Sequence, residues 1–200
     1  MTHSIPSLEI APGLTISRLV TGLWQIADME KDGKVLDPDT TAKAMIPYGE
    51  AGLTTFDMAD HYGSAEIIAG RYKAIAPSAV QLLTKWVPTP GTRSRAEVKK
   101  AIDLACTRLN TQTIDLLQFH SWNYADPSWL ECMFWLDDLR REGRIRHLGL
   151  TNTDTAHLRM VVESGIPIAT NQVCYSLLDQ RASGAMTAYC QQRGIHLLAF

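Results

Sequence analysis

The stretch Thr55-Phe56-Asp57-Met58-Ala59-Asp60-His61-Tyr62-Gly63 concentrates groups that gain or lose protons: Asp57, His61 and Tyr62. A carboxylate, an imidazole and a phenol so close together suit proton transfer to or from a reacting atom. The segment opens as a buried strand, Thr54 to Phe56, and turns polar at that strand's C-terminal end. Gly63 permits a sharp turn, and Ser64 is placed to cap the helix that follows. Further along, Lys85 and His120 each stand at the end of an apolar run. Taken singly, these residues have ordinary explanations. A lone Asp57 is a helix cap or a surface ion pair, a lone Lys85 a solvated charge, a lone His120 a satisfied histidine near the core. Asp57, Asp60, His61 and His120 also read as a metal cluster, since barrel hydrolases bind metals at such a face. Against that, no His-x-His pair ends the first strand, and Lys85 competes with a cation.

The elements that must position these groups alternate along the chain. Residues 7–16 read as a hairpin around Pro12-Gly13. Leu19 to Leu23 reads as a first core strand ending at Trp24-Gln25, followed by a polar loop from Asp28 to Asp37. Pro38-Asp39-Thr40 opens a helix through about Ala51, stopped by Gly52. Strands are then expected at Thr54–Phe56, Val80–Thr84, Ile114–Phe119, Arg146–Leu150, Ile168–Val173 and Ile195–Phe200. Between them lie helices over Ser64–Ala74, Ser94–Leu109, Asp126–Arg141, Asp154–Ser164 and Ser183–Arg193. Ser94 with Glu97 makes a capping box, Pro127 sits at a first helical position, and Asp154 is a cap. The charge run Asp137-Asp138-Leu139-Arg140-Arg141 reads as a solvated helix face.

Consecutive βα units of this kind build either a doubly wound sheet or a (β/α)8 (TIM) barrel. No G-x-G-x-x-G follows the first strand, which removes the usual dinucleotide fingerprint. Trp24, Asp57, Lys85, His120, Asn152 and Gln172 end successive strands, and in a barrel those ends meet on one active face. The expected fold is therefore an α/β protein, a (β/α)8 TIM barrel truncated after about seven strands, in one domain over residues 1–200.

At this point the residues resemble the aldo-keto reductase family. Phe56-Asp57-Met58-Ala59-Asp60-His61-Tyr62-Gly63 is similar to its Asp…Tyr-Gly signature, and Thr84-Lys85-Trp86 to the strand carrying its lysine. Asp115-Leu116-Leu117-Gln118-Phe119-His120 resembles the strand carrying its histidine. The block Gly143 to Asn152 and the run Asn171 to Leu178 resemble the next two strands. The resemblance implies hydride transfer between a nicotinamide cofactor, NADPH with NADH as the other choice, and a carbonyl or alcohol. It implies Asp57, Tyr62, Lys85 and His120 as the catalytic four. It puts Thr151, Asn152, Gln172 and Phe200 at the nicotinamide, with threonine where the family more often has serine and phenylalanine where it often has tyrosine. Trp24 falls where the family lines the substrate pocket, and His61, Trp86 and Trp122 are taken as further lining. Asn171 either touches the cofactor or ties loops together.

The chemistry explains such a set. A free phenol has a pKa of about 10, a weak acid near neutrality. A cation about 4 Å away favours the phenolate by roughly 4 kcal/mol at an effective dielectric of about 20. That is on the order of three pKa units before desolvation opposes it. Lys85 is therefore expected to make Tyr62 a better acid, with Asp57 holding Lys85 charged and His120 orienting the substrate oxygen.

Composition narrows the partners. The 200 residues are 46% hydrophobic and 20% charged, with a net charge of −2, which points away from nucleic acid and from anionic membranes. No apolar run is long enough to span a bilayer, and the start Met1 to Ser7 lacks the pattern of a signal peptide. Cys106, Cys132, Cys174 and Cys190 form no C-x-x-C pair and read as reduced thiols, which suits the cytoplasm. A barrel of this kind takes about 250 residues. The expectation is thus a fragment lacking its eighth strand and tail, which binds cofactor weakly and turns over slowly. A family member that binds cofactor without catalysis, like the potassium-channel regulatory subunits, is the rival reading.

Overall fold

The computed structural model describes residues 5–76, 78–89, 91, 94–122 and 124–200. Residues 1–4, on which part of the leader reading rests, lie outside them. The chain divides into two compact units, Met1–Lys85 with Ile102–Asp115, and Trp86–Ala101 with Leu116–Phe200.

The first unit opens with the expected hairpin, β1 (Ser7–Ala11) paired antiparallel with β2 (Leu14–Ser17). The Ser17 N–H donates to the buried Thr55 hydroxyl at 2.9 Å, which fastens the hairpin to the strand bearing Asp57. Then come β3 (Thr21–Gly22), α1 (Trp24–Lys31), α2 (Pro38–Ala44), α3 (Ile46–Glu50), β4 (Thr55–Asp57), α4 (Ala65–Ile75) and β5 (Gln81–Trp86). β3 pairs in parallel with β4, and β4 with β5, in the register Gly22↔Asp57 and Asp57↔Leu83. Phe56, Ile68, Tyr72 and Leu83 form the centre of the core, with the Phe56 and Tyr72 rings edge to face at 5.1 Å.

The helix α5 (Arg95–Arg108) is shared equally between the two units; the second unit also holds most of β6 (Ile114–His120), then α6 (Ser128–Arg141), β7 (Ile145–Thr151), α7 (Thr155–Glu163), β8 (Thr170–Val173), α8 (Ala185–Arg193) and β9 (His196–Ala199). Its strands lie in the order β6-β7-β8-β9, parallel in register Thr151↔Gln172 and Val173↔Ala199. α6 buries Trp129, Cys132, Met133, Leu136 and Leu139, the spacing of one helical face. Asp154 caps α7 by accepting from the His157 N–H at 2.9 Å. All four cysteines are free thiols. Among the described residues no helix is long and apolar enough to cross a membrane.

Several expectations are corrected. Trp24 does not close a strand: β3 holds only Thr21–Gly22, Leu19 is exposed, and Trp24 opens α1 where a polar loop was expected from Asp28. The helix begun at Pro38 is two helices, because Pro47 has no N–H to continue the ladder and its ring crowds the carbonyl four residues back. Pro127 is the cap of α6 rather than its first residue. Asp137 is not on a solvated face. It is buried and neutralised by Arg140 at 2.7 Å and Arg141 at 2.6 Å, so charged partners one turn away carry it into the core.

Candidate active site

In the first unit, backbone hydrogen bonds fix the end of β4 before any side chain is considered. The Leu23 N–H donates to the Asp57 carbonyl at 2.9 Å, the Met58 N–H to Leu83 at 2.9 Å, and the Asp60 N–H to Lys85 at 3.0 Å. Asp57 and Lys85, on adjacent strands, then face each other. Lys85 Nζ donates to Asp57 Oδ2 at 2.5 Å and to the Met58 carbonyl at 3.1 Å. The lysine side chain is only 3% exposed, so its charge depends on that carboxylate. Burial still pulls the Lys85 pKa below its ordinary value, against the upward pull of Asp57.

Tyr62 stands beside this pair. Lys85 Nζ lies 5.5 Å from its ring centroid, and the Trp24 ring meets it edge to face at 4.8 Å. Its phenol is pushed up to about 12, first by burial and then by the Asp57 and Asp60 carboxylates. This reverses the expected direction. Lys85 is matched charge for charge by Asp57, so it does not prevail over desolvation and two anions around the ring. Tyr62 is a phenol held protonated.

The turn carrying Tyr62 is held from outside. Gly63 has φ +51°, and a Cβ there would overlap the Glu30 carboxylate. Glu30, on α1, accepts from the Ser64 N–H at 2.9 Å and also from its hydroxyl. Ser64 occupies the cap position of α4, but its hydroxyl is spent on Glu30 rather than on the helix. His61 leans on Asp60 at 2.9 Å. Thus Asp57, Lys85, Tyr62, Trp24 and His61 come together.

In the second unit, His120 ends β6, buried, with the mostly exposed Trp122 ring 4.2 Å from its own. Trp86 is buried against Phe119 at 5.9 Å. Thr151 and Gln172 meet at the ends of β7 and β8: the Thr151 hydroxyl donates to the Gln172 carbonyl at 3.1 Å, and the Asn152 N–H does so at 2.8 Å. Asn152 adopts φ +54°, a left-handed conformation asparagine tolerates, and its side chain is exposed. The Phe200 ring is exposed, while its N–H donates to Val173 at 3.1 Å and its carbonyl accepts from Tyr175 at 3.2 Å. Asn171 ties loops, since its amide donates to the Thr153 carbonyl at 2.9 Å. A cavity of about 390 Å³ is lined by Asn152, Asp154, Cys174, Arg181 and Met186, among others.

Residues 18–200 match the Aldo/keto reductase family. The chain belongs to the aldo/keto reductase family. The methylglyoxal reductase YeaE of Escherichia coli (strain K12) is 30% identical over 197 residues, covering 96% of this chain and 66% of the relative. The NADH-specific methylglyoxal reductase of the same organism is 26% identical over 204 residues, covering 91% of this chain and 62% of the relative. The chain thus spans somewhat less than two thirds of their length. An aldo/keto reductase from Klebsiella pneumoniae, solved with NADP and acetate, superposes with a TM-score of 0.80 at 24% identity, over 97% of this chain and 67% of that one. The fold of this aldo/keto reductase chain is accordingly the (β/α)8 barrel, of which it carries β3 to β9.

Sequence reasoning passed over Glu30, Glu66 and Arg108. Glu66 is buried on α4, accepts from the Thr84 hydroxyl at 2.7 Å, and pairs with Arg108 at 3.2 Å. A signal for it existed. Glu66 and Gly70 are four apart on one helix face, and a glycine inside a helix marks a close approach there.

Proposed function

We propose that this chain supports NADPH-dependent reduction of a small aldehyde, ketone or sugar-type carbonyl, and the reverse oxidation of the alcohol. The observation that carries the reading is the buried Asp57–Lys85 ion pair set against the ring of Tyr62. As the carbonyl carbon accepts hydride, its oxygen takes the proton of the Tyr62 hydroxyl, and a phenolate is left. Lys85 stabilises that phenolate as it forms, in a site with little water to screen the attraction. Asp57 keeps Lys85 cationic despite burial. A phenol near 12 stays fully protonated through neutral pH, which is the form reduction needs. His120 is assigned to hydrogen-bond the carbonyl oxygen. Trp24 and His61 are assigned to the substrate wall in the first unit, and Trp86 and Trp122 in the second, where Trp86 packs on Phe119.

The donor set of the second unit fits a nicotinamide. Asn152 and Gln172 each carry a donor and an acceptor, complementary to a carboxamide. Thr151 keeps lone pairs after donating to Gln172, and Phe200 offers an exposed ring face for stacking. When bound, the dihydronicotinamide supplies the hydride. The Klebsiella relative with NADP supports NADPH as the coenzyme, and the NADH-specific relative makes NADH the other choice. Two methylglyoxal reductases among the relatives support a small, reactive carbonyl as substrate.

The test follows NADPH absorbance with methylglyoxal and a panel of aldehydes. Tyr62→Phe is expected to cut turnover by about 10²–10⁴-fold, the range for a lost general acid, while NADPH binding persists. An unchanged rate rules the role out. Tight NADPH binding with no turnover in the parent chain supports the cofactor-binding rival instead.

A further inference from the structure

The first unit contains a second buried charged group that the proposed chemistry does not use. Glu66 lies on α4 with its side chain 2% exposed. Its two oxygens are spoken for: Oε1 accepts from the Thr84 hydroxyl at 2.7 Å, and Oε2 accepts from Arg108 Nη1 at 3.2 Å. The same Arg108 nitrogen also donates to the Asp60 carbonyl at 3.2 Å. Asp60 in turn gives its N–H to the Lys85 carbonyl. Thr84 is the residue before Lys85, and Asp60 is two residues before Tyr62. One cation therefore links the helix, the strand position beside the lysine, and the turn that presents the phenol.

The backbone sets Arg108 in place. Gly70 lies one turn beyond Glu66 on α4, and a Cβ there would overlap the Arg108 carbonyl and Leu109. The two helices thus touch through main chain at this point. Arg108 has little room to shift, and its guanidinium meets a carboxylate that burial would leave costly without it.

We infer that Glu66 and Arg108 are positioning residues for the proton donor: Glu66 anchors the Arg108 guanidinium, and Arg108 anchors the Asp60 carbonyl and so the turn that holds Tyr62 against Lys85. The inference rests on Tyr62 being the donor, but its main readout is the environment of the phenol, which is measured without turnover. With the anchor gone, the turn relaxes, water reaches the phenol, and the burial that holds its pKa high is lost.

The experiment labels tyrosine with carbon-13 at the ring carbon bearing the hydroxyl and titrates Tyr62 by NMR, assigned with Tyr62→Phe. Variants are Arg108→Met, Glu66→Gln and the conservative Arg108→Lys. In Arg108→Met the Tyr62 titration is expected to fall from about 12 toward the ordinary value of about 10. Glu66→Gln, which keeps the shape but weakens the hold on Arg108, is expected between the two, and Arg108→Lys is expected to restore part of the shift. Turnover of methylglyoxal should drop about tenfold with NADPH affinity within about twofold, the pattern of a misplaced group rather than a lost binding contact. An unmoved Tyr62 titration in a folded Arg108→Met protein overturns the inference. So does loss of cooperative folding in both Arg108→Met and Glu66→Gln, because the pair then serves the fold alone. Should Tyr62→Phe retain turnover while Arg108→Met still shifts the phenol, the catalytic reading fails and the positioning link stands.

Discussion

The strand ends of the two units are built in different ways. In the first, charge is buried and paired: Asp57 with Lys85, and Glu66 with Arg108. In the second, order comes from uncharged hydrogen bonds, as where the Asn152 N–H and the Thr151 hydroxyl converge on one Gln172 carbonyl, while Asn152 and Phe200 are exposed. Leu177 and Leu178 there are 96% and 99% exposed, and the Asp179–Arg181 ion pair lies at the surface. The proton donor proposed for the first unit would need its electrostatic surroundings fixed before the reaction begins, and buried charges fix them. The proposed nicotinamide surface needs donors and acceptors in reach of a ligand, and a backbone ladder can present them without charge buried at the strand ends. The first arrangement is fragile to the loss of one group, and the second is not.

The sharpest way to break this contrast is Asp57→Ala. It leaves Lys85 as a buried cation whose remaining hydrogen bond among the described residues is to the Met58 carbonyl at 3.1 Å. Removing one partner of a buried pair costs about 3–5 kcal/mol. A urea unfolding midpoint should fall accordingly, and turnover should disappear with it. A midpoint change below about 1 kcal/mol, the range of surface pairs, would mean that water reaches Lys85 and that the first unit is no more tightly built than the second.

The strands from β4 on were legible in the sequence because each lies in an apolar run closed by a polar residue, whereas β3, only Thr21–Gly22, was not. Ile114–His120 and Ile145–Thr151 lie within a residue or so of their expected bounds. α1 was not legible, since it starts without a side-chain cap and buries only Ile26 and Ala27. The split at Pro47 was legible, as a proline inside a helical pattern should end it. Within the site, the pairing of Asp57 with Lys85 could be reached from family motifs. The direction of the Tyr62 pKa could not, because it depends on how much water the fold excludes and on a second carboxylate, Asp60, whose distance from the ring no spacing gives. The Glu66–Arg108 pair joins residues 42 apart, and only Gly70 hinted at it.

A subtler comparison uses alkaline pH. Tyr62 is raised from its ordinary 10 to about 12. Between those values the unfolded chain has lost the proton and the folded chain has kept it, so stability present below about pH 10 is lost as pH climbs toward 12. Lys85 acts oppositely, because its folded pKa is lowered: stability rises with pH until its ordinary value of 10.5 is passed. Tyr124, Cys132 and Cys190 of the second unit are also raised by burial, so the parent loses stability in alkali for several reasons. The difference between the parent and Tyr62→Phe isolates one of them. Unfolding midpoints at pH 10 to 12 should decline less steeply in the variant, and parallel curves would mean that the phenol ionises freely in the folded chain.

The smallest effect should come from Asp179→Ala. Arg181 holds the Asp179 carboxyl well below the usual carboxylate range through a forked pair and its own N–H. That depression looks like stability, since it would be present above the ordinary carboxylate pKa and lost in acid. Solvent competes for both groups, however, with the Arg181 side chain 83% exposed, and a pair so placed gains little from folding. The variant should therefore unfold at the parent's midpoint at neutral pH, within error. A clear loss would show that the loop after β8 is braced by buried charge in the manner of the first unit, and the distinction between the two strand ends would not survive it.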